Sequence, residues 1–279
     1  MGMRSGYRPA VNPLHSVQRK LEWADKHIVD LGHELAGFRV AKAKAVIREN
    51  DPNRPGYSRW ILTDANIPDP ITLILGDAIH NLRSALDHFA NDIVRDNGKQ
   101  PSFTTDFPIW RSPKFDRNEY EATVESKVGR ASKPVVQKFK GLEPYEGGKN
   151  ELLWALDKLD VVDKHRFLVV LALRPRSVGF SVKAELKKIV SPDQPARLPN
   201  QLIYIRPADR APLEDGSQIY SAPSGAHLEP DDQPDFLFEV ALGEPRVLKG
   251  QTVLEAFPLL RSAATEIIDL LWTVGRPSA

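Results

Sequence analysis

Between Leu14 and Phe38, apolar residues return at alternating intervals of three and four: Leu14, Val17, Leu21, Ala24, Ile28, Leu31, Leu35 and Phe38. That period draws a seam down one side of an α-helix, and a seam so regular cannot face water. The segment therefore predicts a long helix lying against at least one other long helix. Asn12 and Pro13 suit its start, as N-cap and first helical residue. The pattern carries it to about Glu49.

The rest of the chain supplies the partners. Asp51-Pro52-Asn53-Arg54-Pro55-Gly56 breaks the first helix, and a short extended piece follows around Arg59–Asp64. Asp69 as cap and Pro70 open a second helix, which Asn97-Gly98 closes. Residues 99–115 combine Pro101, Pro108 and Pro113 with Phe103, Phe107, Ile109 and Trp110, and read as an ordered loop pinned by aromatics. Two short helices fit near 116–128 and 132–140. A third long helix begins after Gly147-Gly148 and runs to about Val170. Beyond it Val178, Phe180, Val182, Ala184 and Leu186 alternate with a period of two, as in a strand. Gln201–Arg206 and Asp235–Leu242 read as further strands around a Pro/Asp/Gly/Ser-rich stretch, 207–234. Thr252 and Glu255 have capping-box spacing at the start of the last helix, which ends near Trp272 with a kink at Pro258.

The expected fold is α+β, mainly α: a bundle of four long helices with a small antiparallel β insert before the last. Residues 1–175 form the bundle, 176–250 a β-rich insert packed on it, and 251–279 the helix that completes it. The β insert is expected to rest on the bundle through Phe180, Val182, Phe236 and Phe238.

Composition narrows the function classes. With no cysteine among 279 residues, disulfides, thiolate metal sites and a cysteine nucleophile are excluded. Lys+Arg number 38 and Asp+Glu 37, so no global field draws the chain to nucleic acid or anionic lipid, although a local patch remains open. The longest apolar run, Phe167 to Leu173, is too short to span a bilayer, and the N-terminus lacks a signal-peptide core. A soluble, cytoplasmic protein with no membrane partner is expected.

The second helix carries the chemistry. Ile71, Leu75, Ala78, Leu82, Ala85, Leu86, Phe89 and Ile93 share one half; Asp77, His80, Asn81, Arg83, Ser84, Asp87, His88 and Asn91 share the other. A solvated face is normally built from Glu, Lys, Gln and Arg, yet Asp69 to Asn97 contains no Glu, Lys or Gln. Asp, His, Asn and Ser cost helix propensity, so their use here points to short directional polar groups in a hydrogen-bond network, a metal site or catalysis.

Arg83-Ser84-Ala85-Leu86-Asp87-His88, an Arg and a His separated by four residues on a helix of a helical bundle, resembles the Arg-x(4–6)-His signature of HEPN domains. Many of those are metal-independent endoribonucleases of toxin–antitoxin and phage-defence systems. The resemblance implies that Arg83 would hold a scissile phosphate of RNA and His88 would act as general base on the ribose 2′-hydroxyl, with no cofactor. Arg is always charged and its fork fits phosphate, while His exchanges a proton near neutral pH. Ser84 departs from the polar Asn, Asp or His that the family prefers after the Arg. The two side chains lie about 140° apart on a regular helix. They meet only if the Arg curls back or a second copy completes the site in a homodimer.

A structural reading stands beside it. In the third long helix Asp157, Asp160 and Lys164 share a stripe surrounded by apolar residues, and Asp160→Lys164 is a favourable i,i+4 pair. Charges on a central helix must be paired. The same residues thus suit a buried network in which Arg83 or His88 faces Asp157 or Asp160, in a non-enzymatic binding or scaffolding bundle. Asp77 and His80, one turn apart, could also begin a metal site with His88 and Asp160, but the second helix contains no Glu. Gly-rich phosphate loops, nucleophile elbows and zinc-protease motifs are absent.

Overall fold

A computed structural model describes residues 14–166, 171–181, 202–205, 212–224, 235–243, 247–248 and 251–274. Among them are six helices, four long and two short, rather than four alone: α1 (His15–Lys44), α2 (Asp69–Asp96), α3 (Arg117–Val128), α4 (Lys133–Lys140), α5 (Glu151–Arg166) and α6 (Val253–Val274). The strands are β1 (Val46–Asn50), β2 (Tyr57–Leu62), β3 (Leu171–Ser181), β4 (Leu202–Ile205), β5 (Gln218–Pro223) and β6 (Asp235–Leu242). The chain is mainly helical with antiparallel β-structure, as its pattern implies. No helix among the described residues is long and apolar enough to cross a membrane.

The α1 seam is buried at Val17, Leu21, Ala24, Leu31, Leu35 and Phe38. It packs along α2, which also touches α5 and α6. On α2, Leu82, Leu86 and Phe89 are fully buried, and the Phe89 ring meets Trp272 of α6 edge-on at 6.4 Å. Local signals set several helix ends. Asp116 accepts the Glu119 amide at the start of α3. Thr252 and Glu255 exchange side-chain-to-amide bonds of 3.1 and 3.2 Å before α6. Gly98, at φ 68°, lets the chain turn out of α2.

Three expectations need correction. The first helix stops at Lys44, five residues early, because Val46–Asn50 pairs antiparallel with Tyr57–Leu62 as a hairpin. β-branched Val46 and Ile47 suit a strand, and the breaker cluster is the turn of that hairpin. Asp69 is the first helical residue of α2 rather than its cap, a place held by Pro68. The β-structure also forms two three-stranded sheets, in the orders β1-β2-β5 and β4-β3-β6, instead of one insert. β5 falls inside the Pro/Asp/Gly/Ser-rich stretch and joins β2, with Trp60 opposite Tyr220.

Phe236 and Phe238 are buried in the common core. Asn12, Pro13, Val182, Ala184 and Leu186, and the side chains of Lys164 and Phe180, lie outside the described residues.

Candidate functional site: the polar face of α2

Arg83, Asp87 and Asn91 follow one another at intervals of four, and so stand in a row along α2. All three hold the loop between α2 and α3. Asn91 Nδ2 donates to the Thr105 carbonyl at 3.2 Å. Asp87 Oδ1 accepts the Phe107 amide at 2.9 Å. Arg83 Nη2 donates to the Phe107 carbonyl at 3.3 Å. The aromatic loop is thus fastened by backbone bonds to a helix as well as by Phe107 packing on Phe139.

Arg83 is only 5% exposed and has a carboxylate on each side. Its Nε donates to Asp157 Oδ1 at 3.0 Å, and its Nη1 is paired with Asp87. Asp157, fully buried on α5, takes a second guanidinium from the loop: Arg111 donates Nε to Oδ2 and Nη2 to Oδ1, each at 2.7 Å. This is the two-pronged geometry in which Arg binds a carboxylate most tightly.

The titration behaviour follows. Burial by itself would lower the Arg83 pKa, but the charges of Asp87 and Asp157 outweigh it and hold the group above its ordinary value. Burial would likewise raise Asp157, yet the Arg111 bond and both guanidinium charges bring it below the usual carboxylate range. Both groups are charged at neutral pH. Arg111 is raised as well, chiefly by its bond to Asp157.

One turn towards the N-terminus of α2, His80 Nδ1 lies 2.9 Å from Asp160 Oδ1 of α5, and His80 Nε2 lies 3.3 Å from Ser84 Oγ. Asn81 accepts Lys20 Nζ of α1 at 3.0 Å and donates to the Asp77 carbonyl. Asp77 itself faces solvent. The polar half of α2 is therefore covered along much of its length, by α1 at Asn81, by α5 at His80 and Arg83, and by the loop at Asp87 and Asn91.

Of the sequence-derived candidates, the structure unites Arg83 with Asp87 and Asp157, and His80 with Ser84 and Asp160. His88 does not join either group. It is half-buried, and no hydrogen bond or ion pair among the described residues links it to Arg83, Asp157 or Asp160. Arg83 faces Asp157, one of the expected pairings, whereas Asp160 meets His80 rather than Arg83 or His88. Asp77 is exposed, and no cluster of three or more His, Asp or Glu suited to a metal ion forms among the described residues.

Sequence pattern missed Arg111 and Lys127. Loop residues follow no period, so nothing in the sequence marked Arg111. Together with Arg83, Ser112 and Thr123, these two line a cavity of about 280 Å³ floored by Trp110. No carboxylate lines it. Asp157 and Asp87 lie behind the guanidinium of Arg83, and Asp106 is paired with Lys127.

No family model matches the chain, and no curated protein or solved structure proves similar to it.

Proposed function

We propose that the protein is a non-enzymatic binding or scaffolding bundle in which the polar face of α2 is structural. The environment of Arg83 carries this reading. A guanidinium that is to hold a scissile phosphate must offer its donors outward, whereas Arg83 gives Nε to Asp157, Nη1 to Asp87 and Nη2 to a backbone carbonyl. Removing the fully buried Asp157 leaves the guanidinium only Asp87 as counter-charge, and breaking a buried pair in this way costs about 3–5 kcal/mol. Such a group fixes how α2, α5 and the loop dock together.

A second reading, metal-independent endoribonuclease, keeps one specific support. The 280 Å³ cavity presents Arg83 and Arg111 with no acid in its wall, as an anionic ligand requires. His88 would then supply the base, in one copy or across a homodimer.

Incubation of the purified protein with single-stranded RNA in the presence of a chelator separates the two. On the structural reading RNA stays intact, and Arg83→Ala lowers the melting temperature sharply while His88→Ala barely moves it. Cleavage to 2′,3′-cyclic phosphate ends, abolished by both substitutions at unchanged melting temperature, overturns it in favour of the nuclease.

A further inference from the structure

A second cavity lies away from the Arg83 network, where the end of α2 meets the start of α4. It has a volume of about 540 Å³, and its walls include Lys99, Arg130, Ser132 and Lys133. Three cations face this notch and no carboxylate lines it. Asp96, the nearest acid in sequence, lines a smaller neighbouring cavity instead. Among the described residues Lys99, Arg130 and Lys133 form no ion pair with an acid. Arg130 is held by backbone, its Nη1 donating to the Gln100 carbonyl while Asn97 Nδ2 donates to the Arg130 carbonyl.

The start of α4 adds to the positive potential. Its first turn contains Lys133 and no acid, an arrangement opposed to the helix dipole. Ser132, in the N-cap position, makes no capping bond, and its buried Oγ has no partner. A bound anion would relieve the opposition to the dipole.

A few residues along the chain from this notch stands an exposed aromatic group. Phe103 is fully exposed. It sits on a turn locked by three bonds: Ser102 N to Thr105 Oγ1 at 2.9 Å, Thr105 N to the Ser102 carbonyl at 3.0 Å, and Ser102 Oγ to Thr104 Oγ1 at 2.9 Å. Gln100, which receives Arg130, is three residues away, a span of about 10 Å at most. A wholly exposed phenyl ring carried on a locked turn, within one nucleotide step or two of a cationic notch, is the combination that single strands require: charge for the backbone and a face on which a base stacks.

We propose that the α2–α4 notch binds single-stranded nucleic acid, with backbone phosphates on Lys99, Arg130 and Lys133 and a base on Phe103. The site shares no residue with the Arg83–Asp157 network and goes beyond the function proposed for it.

The test uses the full chain and a labelled oligothymidine of about fifteen nucleotides, a length suited to one such site, followed by fluorescence anisotropy over a salt series. DNA lacks the 2′-hydroxyl, so the result is independent of whether Arg83 and His88 cleave RNA. The wild type binds, and inorganic phosphate at the same ionic strength competes weakly. Phe103→Ala weakens binding at least about fivefold and leaves the salt slope unchanged, because stacking releases no counterions. Lys99→Gln with Lys133→Gln lowers the slope by about 1.4, two contacts at about 0.7 each. All three side chains are exposed, so equal melting temperatures confirm that the variants fold. Absence of oligonucleotide binding at low salt, equal affinity for duplex of the same length, or binding unchanged in Phe103→Ala overturns the proposal. Capture of anionic vesicles without oligonucleotide binding overturns it too, in favour of a lipid surface.

Discussion

Gly76 of α2 and Asp163 of α5 approach so closely that a β-carbon on Gly76 would stand 2.3 Å from Asp163 Oδ1 and 2.8 Å from its Cγ. Glycine inside a helix ordinarily costs about 1 kcal/mol against alanine, so its presence at a buried helical position has a steric cause. Gly76→Ala should destabilise the protein, because the short Asp163 side chain must leave its place to admit a methyl group. In an Asp163→Ala background the same change should stabilise by up to about 1 kcal/mol. A double-mutant cycle by urea denaturation measures both, and additive effects would mean that the two residues do not touch.

Asp157 should be the most sensitive acid in the chain. Asp157→Asn removes the buried counter-charge that Arg83 and Arg111 share, leaving Arg83 only the part-exposed Asp87, and should cost about 3–5 kcal/mol. Replacing the pair together, as Arg83→Met with Asp157→Leu, should recover much of that loss, since an apolar pair of similar volume needs no counter-charge. Equal stability of Asp157→Asn and wild type would remove the network from its structural role.

The same carboxylate gives the fold an acid limit with a definite sign. Its folded pKa is lowered, so as pH falls the unfolded chain takes up the proton first. The stabilisation is present above the ordinary carboxylate pKa and is lost as pH drops through that range to the folded value, from about pH 5 downward. Arg111 is the largest of the lowering influences and is half exposed. Arg111→Gln should therefore shift the acid-unfolding midpoint to higher pH while leaving stability at neutral pH changed by less than Asp157→Asn does. Circular dichroism against pH reads both.

Phe89 reports on the opposite face of α2. It is fully buried and meets Trp272 of α6, so Phe89→Ala should cost about 3–5 kcal/mol. A loss below about 1 kcal/mol would place that face in solvent.

Periodic features were readable from residues alone. The α1 seam, the apolar half of α2 and the capping box before α6 all have fixed spacings, and each is found at its place. Tertiary pairing overrode local pattern in two places. Nothing between Ala45 and Asn50 forbids helix, and only the hairpin with Tyr57–Leu62 makes it strand. Gln218–Pro223 has the composition of a loop and becomes β5 by joining β2 across some 160 residues. At the site, the acids of α5 announced that they needed cations, and Arg83 was a visible candidate. Arg111 came from a loop with no spacing to betray it, and His80 meets Asp160 because of how α2 is rotated against α5, which spacing along one helix does not fix.

That long-range β2–β5 pairing bears on how the chain is made. The β1–β2 hairpin can close as soon as it leaves the ribosome, but the strand that covers the free edge of β2 is encoded far downstream, with Trp60 opposite Tyr220. At synthesis rates of about 5–20 residues per second the interval is roughly 8–30 s. Throughout it the nascent hairpin carries an uncovered edge, open to pairing with any extended chain nearby. Arg59, on β2, puts charge on that edge during the wait, and its replacement by an uncharged residue should show first as aggregation during expression, before any large change in the stability of the finished protein.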